Sequence, residues 1–150
     1  MMKRQGHGLK EWQKRAFNDE IYKEREMSPQ YIHAKIAIHL GSLLLEKYPD
    51  IDWLAEYDIK IPSNISVRPD ITGLDKSGSH FVFIEISDTS LDKDTNVAFP
   101  LYQALKIPYF FIVNCQHLQV LKYKLNGEGQ YQPTDDFPEI SKAIFSVLTK

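Results

Sequence analysis

Cysteine is almost missing from this chain: Cys115 stands alone. No internal disulfide and no cysteine-rich zinc site can form, and a reducing cytoplasm is the expected compartment. No apolar run approaches the roughly 20 residues that a membrane-spanning helix needs. The basic start MMKRQGHGLKEWQKR leads into no apolar stretch of the kind a secretory signal carries. Positive charge is not in excess either, with a formal net charge of -2 and a pI near 6.2. Any nucleic-acid binding would therefore need a local patch of Lys and Arg rather than a global field. No internal repeat, low-complexity tract or linker divides the sequence.

What is present suits one core-forming domain: 150 residues, 43% of them hydrophobic. We expect that domain over residues 27–150, preceded by a helical extension over 1–26. In the extension Leu9, Trp12, Ala16, Phe17 and Ile21 recur at near-helical spacing among mixed charges. Ser28 is a good N-cap, with Pro29 at the first helical position. Ile32, Ile36, Leu40, Leu43 and Leu44 then form one apolar stripe that Pro49 should close. Gly41, inside that helix, is expected to permit close packing.

Alternation predicts a half-exposed strand over Trp53–Ile61 and a second over Val67–Leu74, where Pro69 indicates an edge or a strand start. After the turn residues Asp75 to Ser79, Phe81–Ser87 is nearly all apolar and β-prone, as in a central strand. A helix over Asp94–Leu105, strands over Tyr109–Asn114 and Leu118–Leu125, and a closing helix over Pro138–Leu148 complete the order. That last helix should bury Ile140, Ile144 and Val147.

Glu85 interrupts the apolar strand. An ionised side chain there is costly unless it is paired, neutralised or bound to metal. A hairpin centred between Ser77 and Gly78 sets Asp70 across from Glu85, and two adjacent carboxylates either share a proton or take a divalent cation. With oxygen donors and no cysteine at hand, Mg²⁺ or Mn²⁺ is the matching ion. Alternation puts Ser87 on the face of Glu85, and Glu56 on the polar side of its own strand is an outer-shell acid. Spacing alone leaves open a plain salt bridge from Glu85 to Arg68.

The ordered stretches Met27-Ser28-Pro29 with His33, Val67-Arg68-Pro69-Asp70, Phe83-Ile84-Glu85-Ile86-Ser87-Asp88-Thr89-Ser90-Leu91, Asp94, Val97, Pro100-Leu101-Tyr102 and Ile107-Pro108-Tyr109 resemble the Uma family. This is a branch of the PD-(D/E)xK nuclease superfamily, and the similarity covers roughly residues 27 to 125. It implies an α/β (α+β) fold of restriction-endonuclease type, a mixed β-sheet flanked by helices. It also implies Asp70 and Glu85 as metal ligands, the Ile86 carbonyl as a further one, and His33 near the site. The implied activity is Mg²⁺-dependent hydrolysis of DNA phosphodiesters, the metal polarising the phosphate and acidifying a water for in-line attack.

The superfamily places a lysine two residues after the glutamate, where this chain has Ser87. The Uma branch has one four residues before the tyrosine, where this chain has Ala98. Lys93 is a lysine in the intervening loop. A preorganised charge of this kind is typically worth about 10² to 10³ in rate. Two alternatives to a nuclease therefore stand: an inactive nuclease-like module that binds nucleic acid, and a protein that oligomerises, as a homodimer for example, without a nucleic-acid role. Tyr102 matches the family's tyrosine, with core packing and substrate contact both open. His39 and His117 read as structural or surface residues, and Cys115 as a buried inert thiol.

Overall fold

A computed structural model describes residues 29–61, 65–87, 98–115, 117 and 119–148. The expected helical extension over 1–26, the Ser28 cap, Lys93 and the 94–97 part of the expected helix lie outside the described residues, as do Leu118 and the side chain of Val147. Helix α1 (Pro29–Lys47) begins at the proline and stops short of Pro49. Its stripe works as the spacing predicts: Ile36, Leu40 and Leu44 are fully buried, and Ile32 and Leu43 pack on them.

Among the described residues eight strands follow: β1 (Asp52–Ala55), β2 (Ile59–Ile61), β3 (Ile65–Val67), β4 (Ile71–Leu74), β5 (His80–Ser87), β6 (Tyr109–Asn114), β7 (Gln119–Leu125) and β8 (Tyr131–Pro133). Helix α2 (Phe99–Ala104) lies between β5 and β6, and α3 (Pro138–Leu148) closes the order. Six strands form one sheet in the order β1-β4-β5-β6-β7-β8, while β2 and β3 form a separate two-stranded ribbon. Among the described residues only the β5–β6 pair is parallel, which requires the crossover that carries α2.

Alternation along the central strands divides the core in two. Val82, Ile84, Ile86, Phe111 and Val113 meet α1 and α3 on one face. Phe83, Phe110 and Ile112 meet Tyr102 of α2 and Ile59 of the ribbon on the other. Covered on both faces, β5 and β6 read as near-continuous apolar runs.

The structure corrects the sequence expectation in four places. The expected strands 53–61 and 67–74 are each cut in two. Glu56 adopts a left-handed φ of 49°, unusual for a residue with a side chain, and this ends β1. The chain leaves the sheet, forms the β2–β3 ribbon, and returns after Pro69, which has no N–H to give to a ladder. In the ribbon Ile59 pairs with Val67 facing the core, and Lys60 pairs with Ser66, both exposed.

Among the described residues α2 runs only over Phe99–Ala104, with Pro100 in its first turn. Strand β8 has no counterpart in the expected order. Finally, the close approach expected at Gly41 occurs at Gly73. A Cβ at Gly41 would meet nothing within 4 Å, whereas one at Gly73 would stand 2.8 Å from Ile51 Cγ2 and from Trp53 Cζ3.

Candidate active site

The β4–β5 hairpin sets the site. Its register pairs Ile71 with Ile84, Thr72 with Phe83 and Gly73 with Val82, with a bulge at Gly73/Leu74 beside the turn. One step past the ladder Asp70 stands across from Glu85. The contact is direct: the Ile86 N–H donates to Asp70 Oδ2 at 2.7 Å, so the Asp70 carboxylate sits on the peptide that follows Glu85.

That bond also orients the strand's carbonyls. In an extended strand the N–H and C=O of one residue point toward the same neighbour. The Ile86 carbonyl therefore faces the Asp70 side, while the Ser87 carbonyl turns the other way and accepts from the Cys115 N–H at 2.9 Å.

Helices on both faces reach this end of the sheet. From α1, His33 Nε2 lies 3.3 Å from Asp70 Oδ1, so each Asp70 oxygen has a nitrogen against it. From α2, the Tyr102 hydroxyl donates to Glu85 Oε1 at 3.0 Å. Sequence reasoning stopped short of this bond. A tyrosine in an apolar helix needs a partner for its hydroxyl, but which one depends on where the short helix docks.

Ser87, 5% exposed, shares the Glu85 face of β5. Ala98 lies one helical turn before Tyr102 and packs against the α2-side core. Glu56 reaches the neighbourhood through its backbone, its N–H donating to the Asp70 carbonyl at 3.0 Å. Arg68 does not turn toward Glu85. Its Nε lies 3.1 Å from the Glu56 carbonyl and 3.3 Å from Asp58 Oδ1, which answers the salt-bridge alternative for that residue.

His33, Glu56 and Asp70 line one end of a cavity of about 630 Å³. Its remaining wall is largely apolar, from α1 residues such as Ala37 and Leu45 and from Trp53 and Leu54 of β1. His39 and His117 are exposed, and Cys115 is a buried thiol.

Among the described residues no group of three or more His, Cys, Asp and Glu side chains is arranged to hold a metal. The oxygen atoms gathered at this end are those of the Asp70 and Glu85 carboxylates and the Ile86 carbonyl. All are hard oxygen donors, the chemistry that suits Mg²⁺ or Mn²⁺ and not a thiolate-seeking ion.

A solved structure from Anabaena variabilis ATCC 29413, described as "a putative nuclease belonging to DUF820", matches with a TM-score of 0.56 at 16% identity, covering 78% of this chain and 82% of that one. The cryo-EM structure of a DrdV-DNA complex matches with a TM-score of 0.36 at 14% identity, covering 81% of this chain and 13% of that one. No match was found among curated proteins. The first of these gives the fold: a restriction-endonuclease-like mixed sheet flanked by helices. A family model described as "Uma2: Putative restriction endonuclease" matches residues 13–145. Spanning most of the sequence, that match makes this chain a member of the Uma2 family.

Proposed function

We propose that this chain is a divalent-metal-dependent nuclease that hydrolyses DNA phosphodiester bonds. The observation that carries the reading is the 2.7 Å bond from the Ile86 N–H to Asp70 Oδ2, which seats one carboxylate against the strand that bears the other. Family membership and the shared fold support the same reaction class.

Asp70 and Glu85 would hold Mg²⁺ or Mn²⁺, with the Ile86 carbonyl as a further oxygen ligand. When bound, the cation supplies Lewis-acid charge at the phosphate and lowers the pKa of water. The chain's own groups do the rest. His33 orients Asp70 through Oδ1. Glu56, whose N–H donates to the Asp70 carbonyl and which lines the same cavity, would serve as an outer acid. Ser87 occupies the place of the superfamily lysine and offers a hydroxyl where that residue offers a charge.

The substitutions at Ser87 and Ala98 favour a second reading, a nuclease-like module that binds DNA without cutting it. The exposed Ile38 (73%) and Leu45 (62%) on α1 favour a third, pairing with a second copy of the chain.

The test is cleavage of plasmid, linear and branched DNA in Mg²⁺ or Mn²⁺ beside Asp70→Ala and Glu85→Ala. Metal-dependent cutting that disappears in both variants is the expected result, and cutting that survives both overturns it. Binding at low salt without cutting selects the second reading. A dimer by sedimentation that takes no DNA selects the third.

A further inference from the structure

Tyr102 is 4% exposed, and the metal-hydrolysis reading gives its hydroxyl no task. Its ring stands edge-on to Phe83 of β5 at 4.9 Å and to Phe110 of β6 at 5.0 Å. Its carbonyl accepts from the Ile107 N–H at 3.2 Å. Backbone and ring are therefore both fixed, and a tyrosine has only two side-chain torsions, so the hydroxyl is held in one place.

Phenylalanine would fill the same space and satisfy the same aromatic contacts. The hydroxyl needs a separate reason. The other buried tyrosine of this core, Tyr131, donates to the Ile107 carbonyl at 2.7 Å, which is a tie between backbone segments. Tyr102 instead donates to Glu85 Oε1 at 3.0 Å, a side chain that can rotate and that stands across from Asp70. Asp70 has its own orienting group in the Ile86 N–H.

We propose that Tyr102 is a positioning residue whose hydroxyl fixes the rotation of the Glu85 carboxylate, so that Glu85 and Asp70 present their oxygens to one shared divalent cation. The cation rests on the functional reading above; the fixing of Glu85 does not. Groups that orient a metal ligand typically carry 10- to 100-fold in metal affinity.

The experiment uses Tyr102→Phe, which removes one oxygen and leaves the ring. In metal-free protein with ¹³C-labelled glutamate carboxyls, the resonance assigned to Glu85 by its loss in Glu85→Gln should shift or broaden, while the other glutamate resonances hold. Mn²⁺ affinity should fall roughly 10- to 100-fold, and should fall little further when Tyr102→Phe is added to Glu85→Gln. An unmoved Glu85 resonance, or unchanged Mn²⁺ affinity, overturns the proposal. So does a loss of affinity accompanied by collapse of the amide spectrum, since that marks a purely structural tyrosine. Wild-type protein that takes up no Mn²⁺ defeats the cation reading instead, and the Glu85 resonance then decides on its own whether the hydroxyl holds the carboxylate.

Discussion

At the start of β6 the Tyr109 hydroxyl donates to Asp136 Oδ2 at 2.6 Å; near the end of the parallel neighbour β5 the Tyr102 hydroxyl donates to Glu85 Oε1 at 3.0 Å. The bonds are alike and lie at opposite ends of the sheet, but their surroundings differ. Lys124 Nζ lies 3.3 Å from the same Asp136 oxygen. Lys122 Nζ donates to the Asp136 and Phe137 carbonyls at 2.8 and 3.3 Å, just before α3 begins.

The Tyr109 hydroxyl, followed by Lys124, holds the Asp136 carboxyl below its ordinary range. Burial, and then Asp136, pushes the Tyr109 phenol up. That end fastens the chain into α3 with its own cations. At the other end the described donors are a peptide N–H, an imidazole and a phenol, which aim two carboxylates across one hairpin register. A single carboxylate beside lysines makes a tie, whereas under the proposed function two carboxylates brought together would offer their oxygens to a cation.

The largest expected effect tests the site end. Ala98→Lys, one turn before Tyr102 on α2, should raise metal-dependent nicking of plasmid by roughly 10² to 10³. No change would break the placement of that helical face over the carboxylates.

Next comes the strand that delivers Asp70. Gly73→Ala puts a methyl 2.8 Å from Ile51 and Trp53 and should cost about 1–3 kcal/mol of stability in urea unfolding. A neutral result would mean that Trp53 can swing aside, and that β1 grips β4 less firmly than its position indicates.

Smaller still is Asp136→Asn. It should lower the melting temperature by less than Gly73→Ala while leaving cleavage unchanged. Lost cleavage would erase the distinction between the two ends.

The finest effect is in pH. A carboxyl lowered in the folded state contributes its stability above its ordinary pKa of 3.8 and loses it as pH falls through the lowered value. Melting curves taken downward through this range should show an acid limb that Asp136→Asn flattens.

The pairing of Asp70 with Glu85 was legible in the sequence because a hairpin's register follows from the position of its turn, and Asp75, Ser77 and Ser79 mark that turn plainly. The Asp75 carboxylate accepts from the N–H groups of Ser77 and Ser79 at 2.9 and 3.0 Å. The layering was legible because Phe81–Ser87 and Tyr109–Asn114 are short, bounded by turn residues and rich in β-branched and aromatic side chains, which favours strands covered on both faces.

The ribbon was not legible. Alternation continues through Glu56 without a break, and nothing in a glutamate announces a left-handed backbone. The close approach fell at Gly73 and not at Gly41 because the neighbours of Gly73 in space, Ile51 and Trp53, are set by strand pairing. The Tyr102–Glu85 bond joins residues 17 apart in sequence, and it exists only once α2 is laid on β5. Strand β8 escaped notice because it is three residues long, ends in Pro133, and closes the edge of the sheet.

Mn²⁺ titration, with free ion followed by electron paramagnetic resonance, tests the central claim most directly when wild type is set beside Asp70→Asn, Glu85→Gln and Asp136→Asn. Wild type and Asp136→Asn should bind the ion alike, and both site variants should lose it. Binding that survives in Asp70→Asn and Glu85→Gln, or that disappears in Asp136→Asn as fully as in them, would contradict the assignment of the metal to the Asp70–Glu85 end of the sheet.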